Sequence, residues 1–558
     1  MLVTNNNSIA QFVSGNLEQW KVYHHDKYVL WLAGDNLDKK YKHIFKSLNS
    51  HKNISKLLLK TIVEKLDDHF GIICIAEKWA FAAVDCIRSY PIFWKKAKNK
   101  FIFSPQAVSI ISKEGESIDS DQLTAFRMSG YSIDDGTLWQ NINSLNGGNY
   151  IYINNKSDFY VESYFSYTPW KPLFKTYTEF KKQLKNEINN LLKNIIVKSN
   201  GRTIVIPLSA GLDSRLIVSG LKHLNYKKVK CFSYGLKNNF ESKMSSLIAN
   251  KLGYRWKFIE INQKIAKNFY KSKNYKYFMA NSNDGCATST IQGLYSINKI
   301  LQDNYICKDD IIINGNSGDF ISGGHVPKNT ISNSKDINKL FEEVFDEHYR
   351  KHYGLWPNLM NKKNEEIVKS LLFNQLIKNI DEKDIELEAH GIAEFLEYQN
   401  RQTKYVINSQ RIYEFYNLKW QLPLWEKSFI KFWSSVPLKY KTDQKLYKDV
   451  LRDLNMGGVW GREFDSTSYV SPKWIRFLRV ALKVYFLFVG KNKWHNFEKK
   501  YLEYWTDNIC GQSILPYKKI VNNENVSRHY VSWLTIFSEE IVLNSNWQKL
   551  DIGNDFKI

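Results

Sequence analysis

No apolar run in this chain reaches the roughly 18 residues a membrane-spanning helix needs, so nothing in the sequence reads as an integral membrane span. The opening stretch "MLVTNNNSIAQF" also lacks a basic segment, an apolar core and a cleavage signal, and the expectation is a protein made and kept in the cytoplasm. Its six cysteines, Cys74, Cys86, Cys231, Cys286, Cys307 and Cys510, stand far apart without CxxC or Cys/His ligand spacing. They read as reduced, mostly buried thiols rather than a disulfide framework or a zinc site. Internal repeats and low-complexity tracts are absent. Acidic residues are in deficit: 79 Lys and Arg stand against 56 Asp and Glu, a formal charge of +23. That excess raises the question of nucleic acid or an anionic membrane. Because the lysines are scattered among Asn and Tyr, a nucleic-acid partner is not expected.

At 558 residues the chain exceeds one hydrophobic core, and its patterning changes along its length. Up to about residue 165, "YVLWLAG", "FGIICIAEKWAFAAVD", "KNKFIFSP" and "GGNYIYINNKSDFYVESYF" read as strands separated by Gly, Asn and Asp. Packed, mainly antiparallel sheets are expected there. Then Phe180, Leu184, Ile188, Leu191, Leu192 and Ile195 recur at helical spacing and lead into the apolar strand "TIVI". Beyond it, helix and strand alternate through "DSRLIVSGLKHL", "KVKCFSY", "ESKMSSLIANKLG", "WKFIEI" and "DDIIINGNSGD", the pattern of a mostly parallel α/β sheet covered on both faces. The remainder is lysine-rich and chiefly helical. The expected division is 1–168, 175–460 and a basic helical extension at 461–558.

Two loops carry chemistry. "PLSAGLDSRL" places Ser209, Ala210, Gly211 and Leu212 between an apolar strand and a helix, with Asp213 and Ser214 opening the helix. Backbone N–H groups in such a turn, with the partial positive charge of a helix start, suit an anion, and the acid suits a divalent ion held against phosphate. The pattern is neither GxGxxG nor GxxxxGK[ST], whose lysine is missing. "NGNSGDFISGGH" repeats the arrangement after "IIIN" and puts Asp319 at a parallel strand's exit, where open α/β sheets bind ligands. Asp213 and Asp319 are therefore a candidate pair for one magnesium ion on a polyphosphate.

Taken together the loops resemble those of the asparagine synthetase family. "LSAGLDSRL" is similar to the Ser-Gly-Gly-x-Asp-Ser pyrophosphate loop of the ATP pyrophosphatase fold, with Ala210 at its first glycine. "GNSGDF" is similar to the family's Gly-Glu-Gly-Ala-Asp-Glu segment, and "FGIICIAEKWAFAAVDCIRSYPIFW" resembles the end of its N-terminal glutaminase domain. The resemblance implies an N-terminal Ntn-hydrolase-type β sandwich followed by a synthetase domain that binds MgATP, adenylates a carboxylate and passes it to a nitrogen nucleophile. Carried over, Ser209, Gly211, Asp213 and Ser214 would cradle pyrophosphate, with Leu208 and Gly315 completing the nucleotide set. Asp213 and Asp319 would hold Mg2+, and the backbone at Phe232 and Ser233 would read adenine.

The departures from the family pattern are informative. The family's glutaminase nucleophile is a first-residue cysteine; Met1, Leu2 and Val3 stand there, so the first domain is expected to be a scaffold without glutaminase activity. The family's acyl-transfer glutamate falls on Asn316, which cannot act as a base. Its acid after the metal aspartate falls on Phe320, and its catalytic lysine has Arg462 as nearest cation.

"NSNDGCATST" is a candidate acceptor wall, through Asp284 and Ser289, while His325 reads more readily as a surface or packing residue than as a catalytic one. In 472–490, Lys473, Arg476, Arg479 and Lys483 share one helix face and Trp474, Leu478, Leu482 and Phe486 another. This is either a helix packed on its own domain or one lying on an anionic bilayer. The expected reaction is ATP-dependent amidation of a carboxylate by ammonia, a substrate amine or a separate glutaminase's product, with a sugar uronic acid as the favoured acceptor. Asparagine synthesis, peptide or β-lactam cyclisation and a non-catalytic ATP-binding scaffold are the alternatives.

Overall fold

The computed structural model describes residues 8–14, 19–51, 53–98, 100–112, 115–327, 332–380, 387–464, 470, 472–506 and 511–543. Met1 to Val3, Cys510 and the stretch 465–469 lie outside them.

Alternation of apolar side chains builds the first domain from two stacked sheets. A six-stranded antiparallel sheet runs in the order Phe159–Ser163, Asn149–Ile153, Ala80–Val84, Phe70–Ala76, Tyr28–Gly34 and Lys21–His25. The strand Phe70–Ala76 is buried throughout and faces two ways. Ile73 and Ile75 meet Phe101, Phe103 and Trp94 of the second sheet, while Ile72 and Cys74 join Ile44, Leu59 and Ile62 on the other side. Those last three belong to helices Leu37–Asn49 and Lys56–Glu64. The second sheet departs from the antiparallel expectation at one edge, where Ala10–Phe12 runs parallel to Lys100–Ser104. Its outer side is covered by a cluster that includes Phe93, Ala107, Phe126 and Trp139.

Helix Tyr177–Ser199 leads into the second domain. It starts on a reciprocal cap in which Thr176 and Glu179 each satisfy the other's backbone N–H. A five-stranded parallel sheet follows in the order Arg255–Glu260, Val229–Gly235, Ile204–Pro207, Ile311–Ile313 and Lys419–Gln421. The chain moves outward from Ile204–Pro207 in one direction, then returns to its other side with Ile311–Ile313. Connections leaving two neighbouring strands in opposite directions open a crevice at their carboxyl ends, and the two acid-bearing loops leave from those strands.

The domains are joined by buried polar bonds rather than a bare linker. The Leu422 N–H donates to His69 Nε2 (3.2 Å) and the Tyr398 hydroxyl to the Cys86 carbonyl (2.5 Å), while Lys404 Nζ donates to the carbonyls of Ser132 (2.8 Å) and Asp134 (2.5 Å). The C-terminal segment packs on the second domain, where Gln263 Nε2 donates to the Tyr504 carbonyl (2.9 Å) and helix Tyr530–Leu543 closes against Tyr275. Helix Lys473–Val489 divides the apolar face that the sequence spacing leads us to expect. Leu482 and Phe486 turn inward, but Trp474 and Leu478 turn out to solvent, and Ile475 is its one buried residue.

Candidate active site

Two cavities meet at the crevice. The first, of about 510 Å³, is walled by Ser209, Gly211, Asp213 and Ser214 on one side and by Gly315 to Ser317 and Asp319 on the other. Phe232, Tyr234, Ile297 and Ile412 give it an apolar flank fit for a planar base. Helix Leu212–His223 opens on Gly211 with no side-chain cap, so its first N–H groups are directed at an anion's position. The loop is held from behind. Glu241 accepts from the Ala210 N–H (2.6 Å), and buried Arg215 donates to the carbonyls of Ala210 (2.6 Å) and Phe464 (2.8 Å).

Glycine lets the loops close on each other. A Cβ on Gly315 would come within 2.9 Å of the Ser214 nitrogen, and one on Gly318 within 2.3 Å of Asp213 Oδ1. Between them Ser317 takes a positive φ of 67°, unusual for a residue with a side chain, and is fixed by donating to Gln402 Oε1 (2.6 Å). The Asp319 N–H donates to Asp213 Oδ2 (3.0 Å), and the Tyr447 hydroxyl donates to Oδ1 (3.1 Å). Burial, then the charge of Asp319, pushes the Asp213 carboxyl up to about 8. Asp319 is itself exposed, yet its carboxylate is near enough to raise that of Asp213, and such a pair suits a cation. Among the described residues no group of three or more His, Cys, Asp or Glu is arranged to hold a metal ion. That donor set fits an ion held chiefly by phosphate and water, as Mg2+ is in nucleotide sites.

The second cavity, of about 650 Å³, shares Thr290, Gln292, Asn316, Ser317, Asp319 and Ser409 with the first. Its outer part is cationic, with His325, Lys351, Arg401 and Arg528. Beneath them lies Glu397, 3% exposed, which His325 Nδ1 (2.5 Å), His352 Nε2 (3.1 Å), Arg401 (3.3 Å) and Lys351 (3.4 Å) all approach. Burial opposes a charge on Glu397, but His352 and His325 outweigh it and hold the carboxyl well below its usual range. Burial likewise opposes the His325 cation. Its bonds to Asp319 (3.2 Å) and Glu397 prevail and raise it to about 9. His352 goes the other way, lowered by burial to about 4. Counting His325, Lys351, Arg401 and Arg528 against Glu397 and Asp319, the wall carries two cations in excess. The stretch Glu397–Val406 is π-helical, a winding that recurs at functional sites, and Gln402 donates across its wider turn to Glu397 (2.9 Å).

Most of the sequence-derived residues converge here. Asp213, Asp319, Ser209, Gly211, Ser214, Gly315, Phe232 and Asn316 line the first cavity. Asn316 sits at the junction, donating from Nδ2 to Ser409 Oγ (3.1 Å). Leu208 lies buried behind the loop, its N–H given to the Phe232 carbonyl (2.8 Å).

Four expectations need correction. Ser233 accepts a bond from the Ser245 hydroxyl (3.0 Å) and is absent from the cavity wall; Tyr234 stands there instead. Arg462 is exposed and lines neither cavity, because Phe464 is tucked inward and Arg215 ties its carbonyl to the loop. Asp284 and Ser289 are buried structural residues: Asp284 pairs with Arg88 (3.4 Å) and accepts from the Cys286 and Ala287 N–H groups (both 2.9 Å), and the Ser282 hydroxyl donates to Ser289 (2.6 Å). Of that stretch, Thr290 reaches both cavities. His325 is a cavity residue in contact with Asp319, not a surface one.

Sequence reasoning missed Tyr447, Glu397, Lys351, Arg401 and Arg528. Glu397 and Arg401 sit four apart on a periodic stretch, a faint signal; the others have no local motif.

Residues 199–457 match the family model described as asparagine synthase. Among solved structures, the chain is similar to the allosteric regulatory enzyme of purine biosynthesis at 10% identity, over 43% of this chain and 62% of that one, with a TM-score of 0.18. A glutamine phosphoribosylpyrophosphate amidotransferase from B. subtilis, complexed with ADP and GMP, is similar at 9% identity over 44% of this chain and 74% of that one, with a TM-score of 0.19. The match thus spans 62% of the first structure's length, and neither likeness at these scores bears on function. No curated protein matches the chain. The matched segment holds both loops, both carboxylates and the Glu397 cluster, and it is over residues 199–457 that the chain is similar to the asparagine synthase family.

Proposed function

We propose that the chain is an ATP-dependent amide-forming ligase in which the first cavity takes the nucleotide and the second an acidic, polar acceptor. The observation that carries this reading is the shared boundary: Asn316, Ser317 and Asp319 face both chambers, so a group leaving one is delivered into the other. A carboxylate is a poor electrophile and needs activation before a nitrogen nucleophile can displace one of its oxygens. ATP would supply that activation by donating AMP to the carboxylate oxygen with release of pyrophosphate, and Asp213 and Asp319 would hold a Mg2+ ion whose charge would offset that of the phosphates.

The chain's own residues do the rest. The open N–H groups at the start of Leu212–His223 and the hydroxyls of Ser209 and Ser214 receive the pyrophosphate end. Phe232, Tyr234, Ile297 and Ile412 flank the base, and Lys351, Arg401 and Arg528 draw an anionic acceptor towards the junction. Asn316 orients by hydrogen bonding and moves no proton.

For nitrogen, the first domain offers no usable thiol among its described residues. Cys74 and Cys86 are buried, and burial pushes both thiols up, away from the reactive thiolate. Free ammonia, a substrate amine or a separate glutaminase is the proposed source, and the Ntn-type sandwich serves as scaffold. Within acidic acceptors a sugar uronic acid is favoured, supported by the cation excess and by the polar wall of Thr290, Gln292 and Gln402.

The test incubates the protein with MgATP, ammonium and a panel of hexuronic acids, aspartate and other dicarboxylates, reading amide by mass spectrometry. Amide on an acidic sugar supports the full reading. Amide on aspartate alone replaces the acceptor, and ATP binding without amide on any acid favours a non-catalytic ATP-binding protein, the reading that Asn316 motivates.

A further inference from the structure

Helix Lys473–Val489 stands apart from both cavities. Along one edge it rests on its neighbours, with Ile475 buried and the Phe486 ring against Trp494 (5.4 Å) and Phe497 (5.1 Å). At about 100° per residue, Trp474, Phe477, Ala481, Val484, Tyr485 and Phe488 fall together on another face. That face is in solvent: Phe488 is 90% exposed, Phe477 78%, Tyr485 64% and Trp474 53%. Single exposed apolar side chains are ordinary, but a contiguous set of large ones marks an interaction surface.

Charge selects the occupant. Lys473, Arg476 and Lys483 flank the apolar face along one side. Lys491, Lys493, Lys499 and Lys500 follow in the next turns, so that 473–500 holds eight Lys and Arg against Glu498 alone. Arg479 pairs with that glutamate, and Lys483 lies over the Trp494 ring (5.7 Å). A second copy of the chain would bring the same positive rim to the contact and be repelled. An anionic bilayer offers negative headgroups beside an apolar depth, and aromatic side chains such as Trp474 and Tyr485 favour that boundary. The helix does not cross: it is 17 residues long with four cations, and no described helix is long and apolar enough to span a membrane.

We propose that residues 473–500 form a peripheral anchor that lays Lys473–Val489 in the plane of an anionic phospholipid surface, with Phe477, Ala481 and Phe488 facing the acyl chains. This anchor is independent of the activity proposed above. It also has a structural consequence. The chain that leaves it returns to place Arg528 to Val531 in the wall of the second cavity, so one continuous segment joins the lipid-facing helix to the acceptor chamber.

The test is co-sedimentation of the full chain with vesicles of phosphatidylcholine alone or with about 30% phosphatidylglycerol, each cation near such a surface being worth about fivefold in partitioning. Binding to the anionic vesicles, at least tenfold weaker on phosphatidylcholine and in high salt, is the expected result. Phe477→Ser/Phe488→Ser and Arg476→Glu/Lys483→Glu should each lower partitioning more than tenfold while MgATP binding stays unchanged. Because both phenylalanines are exposed, the first pair tests the surface without emptying a core. Equal binding to both vesicle types, no binding to either, or a self-associating protein made monomeric by Phe477→Ser/Phe488→Ser would each overturn the proposal.

Discussion

At the scale of single residues, the site depends on where side chains are missing as much as on where they are present. Gly318 has room for hydrogen alone, since a Cβ would sit 2.3 Å from Asp213 Oδ1 and 2.6 Å from Leu424 Cδ1. Gly318→Ala is therefore expected to push the two acid loops apart and weaken MgATP binding by tenfold or more, measured by calorimetry, with the thermal transition retained. Undiminished affinity would show that the loops do not have to close for nucleotide binding. Asp213, Asp319 and their glycines were legible in the sequence because each acid follows an apolar strand and a short run of small residues. Tyr447 was not. Its hydroxyl reaches Asp213 from 234 residues away in sequence, and no local pattern distinguishes it from the other tyrosines. Asp284 misled for a related reason: a polar loop with few charges can be buried as well as exposed, and here Arg88 of the first domain neutralises it.

At the scale of elements, alternating patterns located strands and helices well, while the winding of Glu397–Val406 was hidden. Its sequence carries helical periodicity, and the π turn sets Glu397 under His325, Lys351 and Arg401 through contacts that only the folded chain provides. Farther along, Glu414 on helix Arg411–Phe415 lies between the domains, paired with Arg411 (2.6 Å) and accepting from Trp420 Nε1 (3.1 Å). Burial outweighs the attraction of Arg411 and raises its carboxyl to about 7. A carboxyl raised on folding binds its proton more tightly in the native state. Its stabilising contribution is thus full below about 4.5, its unfolded value, and is lost as pH rises through 7. Wild type should lose up to about 3 kcal/mol over that window from this group. Glu414→Gln should show a flatter profile of unfolding free energy in urea between those pH values. Parallel profiles for the two proteins would mean that Glu414 does not titrate in that range.

At the scale of the whole molecule, the parallel sheet, the stacked antiparallel sheets and their order along the chain follow from hydrophobic spacing, which is why the architecture was readable. The second cavity was not, because its wall is assembled from Tyr131 of the first domain, Lys351 and Arg401 of the second and Arg528 of the C-terminal segment. None of these residues signals the others in sequence. On the proposed function, all three parts of the chain would together present an acceptor beside a nucleotide. The most direct measurement of that account is the stoichiometry of products from the full chain with MgATP, ammonium and the acceptor that the panel identifies. One pyrophosphate and one AMP should form per amide, and Asp213→Asn should abolish all three while the protein remains folded. Release of ADP and phosphate instead, or unchanged turnover by Asp213→Asn, would contradict it.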